Sequence, residues 1–378
     1  MSDESPRPDQ VQGAPHPRDT PRLIGQAQAE AAFLTAFTSG RLHHAWLISG
    51  PRGTGKATLA YRIARFLLAT PPQTDDGLFG APPPPDSLEI SDEHPVSQRI
   101  RAGAEPGLRV VIRTENEKTG KMRDQIVVDD IRKLGEFFHL SMTDGGHRVV
   151  IVDSADDMNV PAANALLKML EEPPADTTLL LLSHQPSRLL PTIRSRCRTL
   201  RTVPLPPADM RDALEQAAAE LPDADTALAE LSGGSVGDAL RLINLSGLEI
   251  YAELIALLGT MPRLDRPRAK ALADASATRG AEDKLDLLIS LLDMALSRLA
   301  RSGALGQSLP DAAPSEADTF ARLAPDTGAA RYWAERSADI TARLRHGRAV
   351  NLDPAALVLD TLLKLNDTAR AVADRTVA

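Results

Sequence analysis

One stretch, Gly50-Pro51-Arg52-Gly53-Thr54-Gly55-Lys56-Ala57-Thr58, limits what this chain can fold into more than any other. It follows the apolar run AWLIS at 45–49 and opens the segment ATLAYRIARFLLA at 57–69, where apolar residues recur every three or four positions. A buried strand, a glycine-rich turn and a helix in that order form the setting of a phosphate-binding loop. Glycines let successive backbone N–H groups converge on phosphate oxygens, and a lysine at the helix start reaches the outer phosphates. Gly50, Gly53, Gly55 and Lys56 are therefore candidate nucleotide-binding residues. The pattern asks for a Ser or Thr hydroxyl directly after the lysine, to hold magnesium, and here that position is Ala57. Thr58 follows, but one residue along a helix turns a side chain by about 100°, so it substitutes poorly. The loop predicts a nucleotide site, working or relic, with impaired magnesium ligation.

Three more apolar runs have strand character: LRVVIR at 108–113, HRVVIVD at 147–153 and TTLLLLSH at 177–184. Such runs suit strands buried on both faces of a parallel sheet. Helical segments lie between them, at 128–142 and at 159–174, the second ending on a proline pair. The alternation over 22–202 predicts an α/β domain, a parallel sheet with helices on both faces. At Val203-Pro204-Leu205-Pro206-Pro207 the pattern changes, and everything beyond reads as helix. A small helical unit at 203–245 and a larger all-α bundle at 246–378 are the simplest parse. Residues 1–21 hold five prolines and little that is apolar, which predicts a disordered arm. The stretch at about 71–95, with PPQTDDGLFGAPPPPD, predicts a long surface insertion.

Composition narrows the function classes. A formal charge of −8 argues against a surface that grips nucleic acid everywhere, while leaving a local basic stripe open. Cys197 is the only cysteine of 378 residues, so neither an internal disulfide nor a four-cysteine zinc module can form. The start, MSDESPRPDQ, lacks the basic and apolar character of a signal peptide, and no apolar run approaches the roughly 20 residues that cross a bilayer. These features predict a reduced, intracellular, soluble protein of several domains.

Asp153, at the end of an apolar run and near a phosphate loop, has the position that orients magnesium. A hydrolytic ring ATPase would carry a glutamate next, to activate water, and Ser154 has no carboxylate. Asp156 and Asp157 read as charges at a helix start facing water. The run Arg194-Ser195-Arg196-Cys197-Arg198, with Arg201 beyond, admits three readings: a nucleic-acid patch, a solvated face, or an arginine offered to a neighbour's nucleotide.

Together these stretches resemble the AAA+ family and, within it, the bacterial DNA polymerase III clamp loader, most of all its delta-prime branch. The resemblance rests on Leu23-Ile24-Gly25-Gln26, on Leu42-His43-His44-Ala45-Trp46-Leu47, and on the block from Val149 through Met158-Asn159 and 162–168 to Leu170-Glu171-Glu172-Pro173-Pro174. The Ser195-Arg196-Cys197 triplet completes it. It is strong over about 22–202 and architectural beyond. It implies that Arg196, with Ser195, is an arginine finger acting in trans, that Ser183 holds the sensor-1 position, and that Arg241 is the sensing arginine of a lid at 203–245. It further implies a collar at 246–378 holding a hetero-oligomeric ring with motor subunits and a delta subunit. That ring would act on a sliding clamp and primed DNA in the cytoplasm, with no membrane. A weak or vestigial ATP and magnesium site, no zinc, and no ATPase activity of its own are expected. The chain would then be one subunit of a DNA-directed DNA polymerase holoenzyme. The alternatives are an ATP-hydrolysing motor subunit of the gamma/tau type and an unrelated AAA+ regulatory ATPase.

Overall fold

In a computed structural model, which describes residues 7–11, 14–70, 84–116, 119–139, 146–219, 221, 225–278, 280 and 282–377, the chain divides into two compact units. One comprises Met1–Ala219 with Gly234–Gly237, the other Glu220–Gly233 with Asp238–Ala378.

The first unit is built on strands β1 (Ala45–Ser49), β2 (Leu108–Val111), β3 (Arg148–Val152), β4 (Thr177–Ser183) and β5 (Arg198–Arg201). They form a parallel sheet in the order β2-β3-β4-β1-β5. Its helices are α1 (Ala27–Thr38), α2 (Lys56–Ala69), α3 (Pro95–Arg101), α4 (Val128–His139), α5 (Val160–Glu171), the short α6 (Pro191–Arg194) and α7 (Pro207–Gln216). Side chains alternate across each strand, and both faces are apolar. Leu180 and Leu182 join Trp46, Ile48, Leu59, Ile63 and Phe66 on one face. Leu179 and Leu181 join Leu47, Val150, Val152, Leu166 and Ile193 on the other. The expected α/β architecture is present. At α5 the local logic is plain: the Asn159 side-chain Oδ1 accepts the Ala162 N–H at 2.9 Å, and a proline sits in the first turn.

Strand β5 went unforeseen. Only Leu200 of its four residues is buried, so an edge strand carrying arginines had the pattern of a solvated run. The Arg198 guanidinium lies 5.2 Å from the centre of the Trp46 ring.

The second unit is helical: α8 (Asp225–Ser232), α9 (Val236–Asn244, which starts in the first unit), α10 (Gly247–Thr260), α11 (Arg266–Ser276), α12 (Glu282–Leu305), α13 (Glu316–Leu323), α14 (Thr327–Ala349) and α15 (Pro354–Val377). Tyr251, Leu254, Leu292, Leu296, Leu299, Phe320 and Trp333 are buried in it. The two-unit division cuts through the segment 203–245 read as one small domain. Helix α7 belongs to the first unit, while α8 and most of α9 belong to the second.

Two further expectations need correction. The described part of the arm is tied down: His16 is 5% exposed, its Nε2 lies 2.9 Å from Asp9 Oδ2, and the Arg18 carbonyl accepts a bond from Arg65 of α2. Polar pairing onto α2 holds it, a contribution that a count of apolar residues misses. Of the insertion, 71–83 lie outside the described residues, whereas Leu88 is buried in the core beside α2.

Candidate nucleotide site

Strand β1 delivers the loop. Ser49 pairs in register with Ser183, and the Gly50 N–H donates to the Ser183 carbonyl at 3.2 Å, so β1 and β4 end side by side. Val152 pairs with Leu181, which sets Asp153 at the same end of the sheet. The crevice beyond the carboxyl ends of parallel strands is where such sheets bind ligands. The structure thus brings Gly50, Lys56, Asp153 and Ser183 together.

The loop itself is tightly backed. A Cβ on Gly50 would lie 2.2 Å from Thr202 Oγ1, so no other residue fits. Gly53 has φ +67, and a Cβ there would lie 2.3 Å from Ser235 Oγ and 2.6 Å from the Gly237 nitrogen. Gly55, in the left-handed conformation, caps α2. Lys56 Nζ donates to the Gly50 carbonyl at 2.9 Å. Gln26, 2% exposed, ties the α1 entry to the loop: its amide donates to the Thr54 carbonyl at 3.2 Å and to the Val203 carbonyl at 2.8 Å. Thr54 and Thr202 share a hydroxyl hydrogen bond of 2.8 Å.

The donor set does not fit a magnesium nucleotide. Ala57 packs against the apolar cluster under α2, where a hydroxyl would be needed. Thr58 is half-buried on the following helix position. Burial pushes Asp153 up to about 7; the Asp9 charge adds to this and the Lys56 ammonium opposes it. Ser183 is fully buried, and its hydroxyl donates to Asp156 Oδ1 at 2.7 Å.

Asp156 corrects the sequence reading. It is not a solvated charge: its side chain is 1% exposed and accepts the His184 backbone N–H at 2.7 Å. The His184 ring presents Nδ1 to Asp156 Oδ2 at 2.9 Å, while Arg52 of the loop donates to Nε2 at 3.0 Å. With a cation on one nitrogen, the ring is held neutral with its proton on Nδ1. Burial first, and Arg52 next, lower its pKa. The chain Arg52–His184–Asp156–Ser183 therefore locks the loop to the end of β4. Sequence reasoning missed it, although a histidine directly after a buried strand that ends beside the loop was a signal. Asp157 is partly exposed and lies 3.5 Å from Arg113.

Arg196 lies elsewhere. Residues 46 and 198 pair at the start of β1 and β5, and residues 49 and 201 at their ends. Arg196 precedes β5, whereas Gly50 follows β1, so the two stand at opposite ends of the sheet, on the order of 13 Å or more apart by strand rise. Ile193 and Cys197 are anchored in the core on either side of it. Burial pushes the Cys197 thiol up to about 12. The Arg196 side chain, 37% exposed, reaches Glu171 at 2.7 Å and donates to the Thr192 carbonyl at 3.1 Å. The Ser195 hydroxyl donates to that same carbonyl at 3.1 Å. Arg241, half-buried on α9, falls in the second unit.

Asp153 gives a pH signature. Its folded pKa of about 7 stands above the ordinary 3.8. Between those values the folded chain holds more protons than the unfolded one, so this group lowers stability as pH rises. Asp153→Asn is expected to gain Tm relative to the parent between pH 4 and 8, and parallel curves in the two proteins would refute the assignment.

Comparison with known proteins adds relatives. Residues 25–206 match the family model described as DNA polymerase III, delta subunit. The chain is 43% identical over 216 residues to the DNA polymerase III subunit delta' of Pseudomonas aeruginosa, covering 56% of this chain and 59% of that one. It is 34% identical over 209 residues to the delta' subunit of Escherichia coli, covering 55% and 57%. The gamma/tau subunit of Mycobacterium bovis is 30% identical over 286 residues, 70% of this chain and 45% of that one. The match thus spans little more than half the length of the delta' relatives.

Proposed function

We propose, from the match of residues 25–206 to the family model described as DNA polymerase III, delta subunit, that the chain is a delta-prime-type subunit of a DNA polymerase III clamp loader. It joins motor subunits and a delta subunit in a ring that loads a sliding clamp onto primed DNA. Its part is to present Arg196 to the nucleotide of a neighbouring ATPase subunit, with Ser195 shaping the turn. The carrying observation is the placement of Arg196: an arginine held between buried Ile193 and half-buried Cys197, at the end of the sheet away from its own loop. An arginine placed there cannot serve its own site and suits one in another subunit. In this reading 246–378 forms the collar, Arg241 on α9 is the sensing arginine, and Ser183 is a sensor position now satisfied by Asp156. Gly50, Gly53, Gly55 and Lys56 keep a phosphate-loop shape, with Ala57, Thr58 and Asp153 unable to hold magnesium. Among the described residues no single helix is long and apolar enough to cross a membrane. A cytoplasmic location belongs to the clamp-loader reading alone.

Co-purification tests this reading: the tagged full chain should retrieve the motor and delta subunits from native lysate, and their absence would sink it. The motor-subunit alternative is weakened by Ala57 and Ser154. The purified chain is accordingly expected to hydrolyse ATP at background rate. Steady turnover that disappears with Lys56→Ala would restore the alternative.

A further inference from the structure

The turn that carries Arg196 does not hold its guanidinium alone. Helix α5 ends beside it at Glu171, and a residue just ahead of β1 pins that end. His44 Nε2 lies 3.0 Å from the Leu170 carbonyl, and a carbonyl only accepts, so the ring donates there. Carbonyls in the last turn of a helix lack partners within it, so the bond meets a need of α5 itself. His44 is fixed in turn. Its own carbonyl accepts the Leu179 N–H of β4 at 2.7 Å, and its ring stacks on His43 with centroids 4.4 Å apart. The residue after Leu170 is Glu171, whose Oε1 lies 2.7 Å from one terminal nitrogen of Arg196. The other terminal nitrogen donates to the Thr192 carbonyl of α6 at 3.1 Å. Two elements, α5 and α6, thus grip the guanidinium at two points.

We propose that Glu171 is the positioning residue of the finger: its carboxylate, on the pinned end of α5, sets the plane of the Arg196 guanidinium before a neighbouring subunit's nucleotide arrives. The proposal rests on the reading of Arg196 as a finger in trans. A long arginine side chain gives up rotamer freedom when it is fixed against a phosphate. A carboxylate that fixes it beforehand takes that cost out of the catalytic step. One bond would leave the fork free to swivel, whereas the second, to Thr192, defines its plane. The guanidinium keeps further N–H donors for a phosphate. The pair is open to water, with Arg196 37% and Glu171 50% exposed. Such a pair adds little to stability, so what it supplies is direction.

Glu171→Gln, Glu171→Lys and the control Glu172→Gln are placed in the reconstituted loader, each with and without Arg196→Ala. Clamp- and DNA-stimulated ATP hydrolysis is measured per assembled complex. Glu171→Gln is expected to lower kcat about two- to fivefold, the reach of an exposed pair, with KM for ATP unchanged. Glu171→Lys should lose more, because an ammonium there repels the guanidinium, and Glu172→Gln should lose nothing. In chains that carry Arg196→Ala, neither Glu171 variant should cost anything further, since no guanidinium remains to be placed. His44→Phe, which removes the donor to Leu170, should lower kcat and add little to Glu171→Gln. Equal losses with and without Arg196 would make Glu171 a structural residue and overturn the proposal. A raised kcat would also overturn it, by making the carboxylate a brake. Arg196→Ala alone separates the two levels. If it lowers turnover while the Glu171 variants do not, the finger stands and its positioning by Glu171 is wrong. If it leaves turnover intact, the finger reading falls and the role of Glu171 falls with it.

Discussion

Replacing Arg196 by alanine is expected to leave the chain folded and able to assemble, while clamp- and DNA-stimulated ATP hydrolysis by the reconstituted loader falls sharply. Folding should survive because the side chain is exposed and its ion pair with Glu171 is a surface pair, typically contributing about 0–1 kcal/mol. Hydrolysis should fall because a fixed cation beside a transferring phosphoryl group stabilises charge that builds only in the transition state. Arginine fingers contribute about 10³–10⁵ in kcat at the site they serve. The loss in the whole ring is smaller, since other sites keep their own fingers. Arg196→Lys should rescue poorly, because an ammonium is a point charge and lacks the planar fork of donors. The nucleic-acid reading of the same run expects another outcome, weaker DNA binding with a shallower salt dependence and basal ATPase intact. Both quantities measured on one variant separate the two. ATPase unchanged with DNA affinity reduced would rule out the finger.

The features legible in the sequence were those fixed by local pattern. Val149–Val152 and Leu179–Leu182 announce strands buried on both faces because nothing polar interrupts them. The loop announces itself because Gly50, Gly55 and Lys56 stand at the spacing the pattern needs, whatever surrounds them. What failed to show depends on long-range pairing. Asp156 looked like a helix-start charge, since most of its partners come from residues 183–185, at and just beyond the end of a strand far along the chain. β5 was hidden because a single buried residue, Leu200, carries its apolar signal. The arm was misread for a related reason: ordering a backbone costs roughly 1–2 kcal/mol per residue, and apolar content alone offered nothing against it. The pairing of His16 with Asp9, and its packing on Tyr61, exists only once α2 is in place. Ala57 and Ser154 were informative in the opposite way. Each departs from a local pattern, so each was visible without the fold.

The largest stability effect is expected in the second unit, from Arg298→Met. Arg298 lies well beyond the last strand, β5, in a stretch of the sequence that reads only as helix, yet its side chain is 7% exposed. Nε donates to Glu316 Oε1 at 2.8 Å, one terminal nitrogen to Glu230 at 2.8 Å, and the other to the Pro310 carbonyl at 2.6 Å. Glu316 is itself 2% exposed and also accepts from the Tyr251 hydroxyl and the Ala312 N–H, both at 2.6 Å. The network ties α10, α12 and α13 to the loop before α13. It pushes the Tyr251 phenol up, chiefly by burial and then by its bond to Glu316. Methionine keeps much of the stem's volume but strands the Glu316 carboxylate in a buried site without its cation. Breaking one side of a buried pair costs about 3–5 kcal/mol, a large share of the roughly 5–15 kcal/mol that keeps a domain folded. Urea unfolding should show that loss as a lowered midpoint. Arg298→Met with Glu316→Gln should recover much of it, because a neutral amide no longer needs a counter-charge and can still meet Tyr251. A single variant that loses less than about 1 kcal/mol would place the pair among surface-like bridges. A double variant no better than the single would mean that the guanidinium's bonds to Glu230 and Pro310, rather than the buried carboxylate, set the cost.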